Sequence, residues 1–120
     1  GAWQQVIPIC DALAGKGFRP TDTLRLLGKS YAEAGDLTMA IEAFGKLATI
    51  NPGDDGVELE LAGLYDRQGD HARAADMYRT LLAKEPGNRA AALGLARALT
   101  ALRRYDEAIL RYRAILGEKP

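Results

Sequence analysis

Residues 21–54 read TDTLRLLGKSYAEAGDLTMAIEAFGKLATINPGD, and residues 55–88 read DGVELELAGLYDRQGDHARAADMYRTLLAKEPGN. Set one above the other, at a displacement of 34 residues, Leu27 falls on Leu61 and Tyr31 on Tyr65. Gly35-Asp36 falls on Gly69-Asp70, Ala40 on Ala74, Leu47 on Leu81, and Pro52-Gly53 on Pro86-Gly87. A second step of the same length brings Leu59 onto Leu93 and Leu61-Ala62 onto Leu95-Ala96. It also brings Ala74 onto Ala108, Tyr78-Arg79 onto Tyr112-Arg113, Leu82 onto Leu116 and Pro86 onto Pro120. A fixed period of this size marks a stacked repeat, in which each unit buries its apolar face only against its neighbours. Every matched residue is a packing or punctuation type. The shared sequence therefore encodes a scaffold and does not name a partner.

Inside each unit the apolar residues have helical spacing. Leu24, Leu27 and Tyr31 share one helical face, as do Ile41, Phe44 and Leu47. Gly28, Ala62 and Ala96 occupy one phase, where a small residue lets two helices approach closely. Gly35-Asp36 and Gly69-Asp70 punctuate the helix pairs: glycine accepts a left-handed exit, and aspartate accepts from free amides of the next helix. Asp54 and Asn88 stand in matching N-cap slots. The third unit has Arg103-Arg104 in place of Gly-Asp, so its turn is less clearly marked. Gly45, Gly63 and Gly94 lie inside helical stretches, where each is expected to cost about 1 kcal/mol relative to alanine.

These residues resemble the tetratricopeptide repeat family, whose unit is a helix–turn–helix of this length. Its first helix asks for a large apolar residue, then Leu-Gly, then Tyr. Leu24, Leu27-Gly28 and Tyr31 supply these in the first unit. Leu61-Ala62 and Tyr65 serve in the second, with Glu58 at the large apolar position. Leu95-Ala96 and Leu99 serve in the third, with Ala92 at that early position. The second helix asks for a small alanine, an aromatic and a terminal proline, met by Ala40, Phe44 and Pro52, by Ala74, Tyr78 and Pro86, and by Ala108, Tyr112 and Pro120. The resemblance implies an all-α fold, a right-handed superhelical solenoid of helix pairs. It divides the chain into units 21–54, 55–88 and 89–120. Residues 1–20 are then the second helix of a preceding unit, with Val6 near the Ala40 slot and Cys10 near the Phe44 slot. Pro8 is expected to disturb that helix or mark its start. Neither end carries a polar capping helix, so the chain is expected to be an excerpt of a longer array, with Gly1-Ala2 a cloning remnant.

The chain has 120 residues, 48% of them hydrophobic, which suffices for a continuous core. No stretch is long and apolar enough to span a bilayer. Formal net charge is zero, from 16 basic and 16 acidic residues, which argues against a general nucleic-acid binder. That zero conceals a net −5 over residues 21–88 and +4 over residues 89–120, which reads either as solvated helix faces of differing charge or as steering of the basic end toward an acidic surface. Cys10 is alone and reads as a small buried hydrophobe. His71, the only histidine, sits at an inter-helix turn and reads as solvent-facing. With Asp66 and Asp70 it does not match a metal-ligand spacing. His71 and Cys10 are separated by several helices, so no catalytic pairing can be assembled. The sequence points to no cofactor, no metal and no enzyme.

In such arrays the first helices of successive units line a concave groove that binds protein partners. The resemblance places Arg25, Lys29 and Glu33 of the first unit there, with Asp22 beside them. The second unit contributes Leu59, Asp66 and Arg67 with Gly63, and the third Leu93 and Arg97 with Thr100. Arg25, Lys29, Arg67 and Arg97 are the donors, and Leu59 and Leu93 the apolar footholds, suited to an acidic or carboxylate-bearing partner. The alternatives are a structural spacer and a self-associating segment. In texture the chain is also similar to periplasmic tetratricopeptide segments of bacterial exopolysaccharide export proteins. That resemblance implies a polysaccharide-modifying enzyme as partner and the bacterial periplasm as location.

Overall fold

A computed structural model of the chain describes residues 2–117. The expectations for Gly1 and for the terminal Pro120 lie outside the described residues. All regular structure among the described residues is helical: α1 (Trp3–Gly15), α2 (Pro20–Ala34), α3 (Leu37–Ile50), α4 (Asp55–Arg67), α5 (His71–Lys84), α6 (Arg89–Ala101) and α7 (Tyr105–Ile115). The fold is the all-α helical-repeat class. The chain divides into two compact units, the first ending at Val57 and the second beginning at Glu58.

In the first unit α2 packs against both α1 and α3. Its buried side chains are Cys10, Leu24, Leu27, Tyr31, Ala40, Ala43, Phe44 and Leu47. Gly28 has a packing reason for being glycine: a Cβ there would lie 2.7 Å from Phe44 Cε2, so α2 settles directly onto that ring. The α2–α3 turn closes with Gly35 at φ +86°, and the Asp36 amide donates to the Tyr31 carbonyl at 2.9 Å. Asp36 Oδ1 then accepts from the Met39 amide at 3.2 Å and caps α3. Pro8 neither breaks nor starts a helix. It stands on the exposed side of α1, which runs through it, and water can satisfy the Gln4 carbonyl that loses its amide donor. Burial also pushes the Cys10 thiol up, with the Asp11 charge adding to the effect.

The second unit holds the rest of α4 with α5, α6 and α7, around a core that includes Ala62, Tyr78, Leu81, Leu95 and Leu99. Gly69 (φ +95°) and Asp70 repeat the turn of the first unit, Asp70 accepting from the Arg73 amide. Asn88 caps α6 by accepting from the Ala91 amide at 3.1 Å. Between α6 and α7 the Arg103-Arg104 pair makes the same turn without the usual residues. Arg103 adopts φ +63°, its amide donates to the Thr100 carbonyl, and that of Arg104 to the Leu99 carbonyl at 2.9 Å. Arg104 offers no side-chain cap to α7. The repeat geometry thus imposes a left-handed residue even where the sequence has no glycine, at a cost of about 1–2 kcal/mol.

The acidic Glu58 has its explanation one residue earlier. Val57 is 0% exposed, and Thr23 and Ala91, one repeat away on either side, are 6% and 0% exposed. This phase, beside the Leu24 position, is buried in all three repeats. Thr23 can occupy it because its hydroxyl donates to the Phe18 carbonyl at 2.7 Å.

Candidate functional site

On α2, Arg25 makes a loose ion pair with Asp54 (3.8 Å), and Asp22 pairs with Arg19 at 2.9 Å. Lys29 and Glu33 are exposed and make no ion pair among the described residues. Lys29 is therefore a free cation on this face of the first unit.

In the second unit Leu59 is half-buried and packs against the core, so only part of it is available as a foothold. Leu93 is also half-buried, and Arg67 and Arg97 are exposed. Thr100 turns its hydroxyl back to the Ala96 carbonyl at 2.8 Å. His71 departs from the solvent-facing reading: it is half-buried, and its Nδ1 lies 2.5 Å from Asp66 Oδ1. The left-handed Gly69 folds the first residue of α5 back over the last turn of α4, which brings this pair together. The Arg73 guanidinium of α5 stacks 4.8 Å from the centre of the Tyr65 ring of α4.

Tyr78, on α5, belongs to the site although the sequence marks it only as a packing residue. A Cβ on Gly94 of α6 would lie 2.3 Å from its Cζ, and one on Gly63 of α4 would lie 3.7 Å from its hydroxyl oxygen. The ring thus passes between two glycines. Its hydroxyl makes no hydrogen bond among the described residues, and no side-chain oxygen there is both buried and unpartnered, so it reaches solvent. Burial pushes this phenol up; the Asp66 and Glu60 carboxylates add to the shift and Arg97 opposes it. The Tyr78 hydroxyl therefore feels the charges of Asp66, Arg97 and Glu60. The unit offers one guanidinium and one phenol donor beside two carboxylates, with Arg97 free of any ion pair among the described residues. The helix-interior glycines Gly63 and Gly94 were the signal for this slot, although Gly45 is also helix-interior and has nothing within 4 Å of its absent Cβ.

Two cavities lie elsewhere. The first unit has a trough of about 570 Å³ between α1 and α3, floored by α2, and the second a smaller one of about 240 Å³. None of the expected groove residues lines either. Among the described residues no cluster of three metal-ligating side chains occurs, and no helix is long and apolar enough to cross a membrane.

Two models of the tetratricopeptide repeat match the chain, one over residues 22–54 and the other over residues 67–120. No curated protein matches the sequence. Among solved structures, MamA AMB-1 is 19% identical with a TM-score of 0.83, covering 96% of this chain and 68% of its own. MamA MSR-1 is 18% identical with a TM-score of 0.84, covering 98% and 67%. At such identities the likeness is one of fold.

Proposed function

We propose that this chain, which carries tetratricopeptide repeats, is a non-catalytic scaffold that recruits a partner protein through the first-helix faces of its repeats. Tetratricopeptide repeats mediate protein–protein interaction and are typically non-catalytic, and a packed helix pair presents a face already formed before binding. The observation that carries the reading is the state of Lys29 and Arg97. They occupy the same phase of two repeats, both are exposed, and both are without an ion pair among the described residues. A free cation at a repeated position is a ready donor to an acidic side chain or a carboxylate. Arg97 is the stronger of the two, because the Tyr78 hydroxyl and the Leu93 side chain belong to the same unit.

A spacer role has its own supporting observation. Arg25 is engaged by Asp54 and Asp66 by His71, so part of the expected groove is occupied by the protein's own partners. The narrower reading, recruitment of a polysaccharide-modifying enzyme in periplasmic exopolysaccharide export, rests on compositional texture alone and gains no support from the matched families or structures.

Affinity capture from an extract of the source organism separates the two roles. The bait is the wild-type chain beside a Lys29→Glu/Arg97→Glu variant, with circular dichroism showing that both are helical. A protein held by the first and lost by the second supports recruitment. No specific capture by either supports the spacer, and equal capture by both removes Lys29 and Arg97 from the recruiting surface.

A further inference from the structure

The trough of the first unit has a counterpart two repeats on, and the two differ in one respect. The walls of the trough are α1, contributing Asp11 and Ala14, and α3, contributing Met39, Ala43 and Lys46; Leu24, Leu27 and Tyr31 of α2 form the floor. Moving two repeats along the sequence takes Ala14 to Leu82, Leu24 to Ala92 and Lys46 to Ala114. Those three residues line the cavity of about 240 Å³ in the second unit. The same step takes Asp11 to Arg79 and Met39 to Glu107. There the wall helices α5 and α7 are tied together by an Arg79–Glu107 ion pair at 2.7 Å, and neither residue lines the smaller cavity. In the first unit an acid stands where the arginine would be and a methionine where the glutamate would be. No bridge forms, and about 570 Å³ stays open.

The open trough is apolar below and acidic at its wall. Asp11 accepts from the Tyr31 hydroxyl at 3.3 Å and pairs with no basic group among the described residues. On the opposite wall Lys46 is neutralised by Glu42 at 3.5 Å. Asp11 is thus the uncompensated charge. We infer that the trough is a second docking site, on a face other than the proposed recruiting one, for a partner segment that presents an arginine or lysine beside large apolar side chains. The basic group meets Asp11, and the apolar side chains lie on Leu24, Leu27 and Met39. Arg79 is the internal precedent: in the second unit a basic side chain at this phase makes the bridge that the first unit lacks. The volume lies in the range of clefts that bury a drug-sized group.

The test uses fluorescence anisotropy with a labelled helical peptide carrying leucines and arginines on one face, beside a counterpart with each arginine replaced by glutamate. The chain should bind the arginine peptide about tenfold or more tightly than the glutamate one, as expected where charge complementarity sets specificity. Asp11→Arg with Met39→Glu grafts the second unit's bridge into the first and should weaken binding by about tenfold or more, because bridge and ligand compete for one slot. Asp11→Asn, which keeps the shape of the side chain, should weaken binding several-fold at unchanged helicity, so the test survives a graft that misfolds. Equal binding of the two peptides, or unaltered binding by Asp11→Asn, overturns the inference. Self-association of the chain without peptide that the graft abolishes also overturns it, since the occupant is then a second copy.

Discussion

Replacing Gly94 by alanine should destabilise the chain even though alanine is the better helix former. The added Cβ would sit 2.3, 2.4 and 2.7 Å from three carbons of the Tyr78 ring. Relief requires the ring to retreat by about 1 Å or more, but that ring is only 7% exposed and packed in the core. Overpacking of this kind costs about 1–3 kcal/mol, and a clash with a rigid ring belongs toward the upper end. The helix recovers about 1 kcal/mol from alanine's propensity. The net expectation is a loss of about 2 kcal/mol, which for a domain of this size lowers Tm by about 5–10 °C. Gly45→Ala is the matched control, because a Cβ there meets nothing within 4 Å. It should stabilise by up to about 1 kcal/mol. Urea unfolding followed by circular dichroism measures both, as a shift of midpoint at constant slope. If Gly94→Ala proves as stable as Gly45→Ala, the slot argument for Tyr78 is wrong.

Two further outcomes follow from the second unit. Arg103→Gly should stabilise by about 1 kcal/mol, since the left-handed φ of +63° then carries no Cβ penalty, and thermal unfolding checks the sign. The Arg79 guanidinium holds the Glu107 carboxyl below its ordinary value of 4.5. A depressed acid contributes stability that is fully present above the unfolded value and is lost as pH falls through the folded one. An acid titration of stability should therefore show less loss below about pH 4.5 for Glu107→Gln than for wild type. The effect should be small, because both side chains are more than a third exposed.

The period and the cap residues were legible in the sequence because they act locally. Gly35-Asp36 and Gly69-Asp70 close their turns with backbone groups a few residues away, and Asn88 caps its own helix. Phase was less legible. Glu58 breaks the apolar pattern at its position, yet the buried residue is Val57 beside it, because a helix face is wide enough for either neighbour to carry burial. Gly94 reads as a penalty until the ring of Tyr78, from another helix, is seen to need the space. The Arg103-Arg104 turn was hidden because its conformation is imposed by the flanking helices and not by residue preference. His71 was misread for a related reason: its partner Asp66 is brought to it by the curl of the turn. The contrast between the two troughs was present in the sequence as Asp11 against Arg79. It became meaningful once Arg79 was seen to reach Glu107.

The central claim, recruitment through the first-helix faces, is tested most directly by site-specific photocrosslinking. A photoreactive residue is placed at position 29 or 97, and in separate chains at 76 or 80, where exposed Asp76 and Thr80 stand on α5. Each is irradiated in an extract of the source organism. The account predicts an adduct of one mass shared by positions 29 and 97 and absent from 76 and 80. Adducts confined to 76 and 80, or none at 29 and 97, would contradict it.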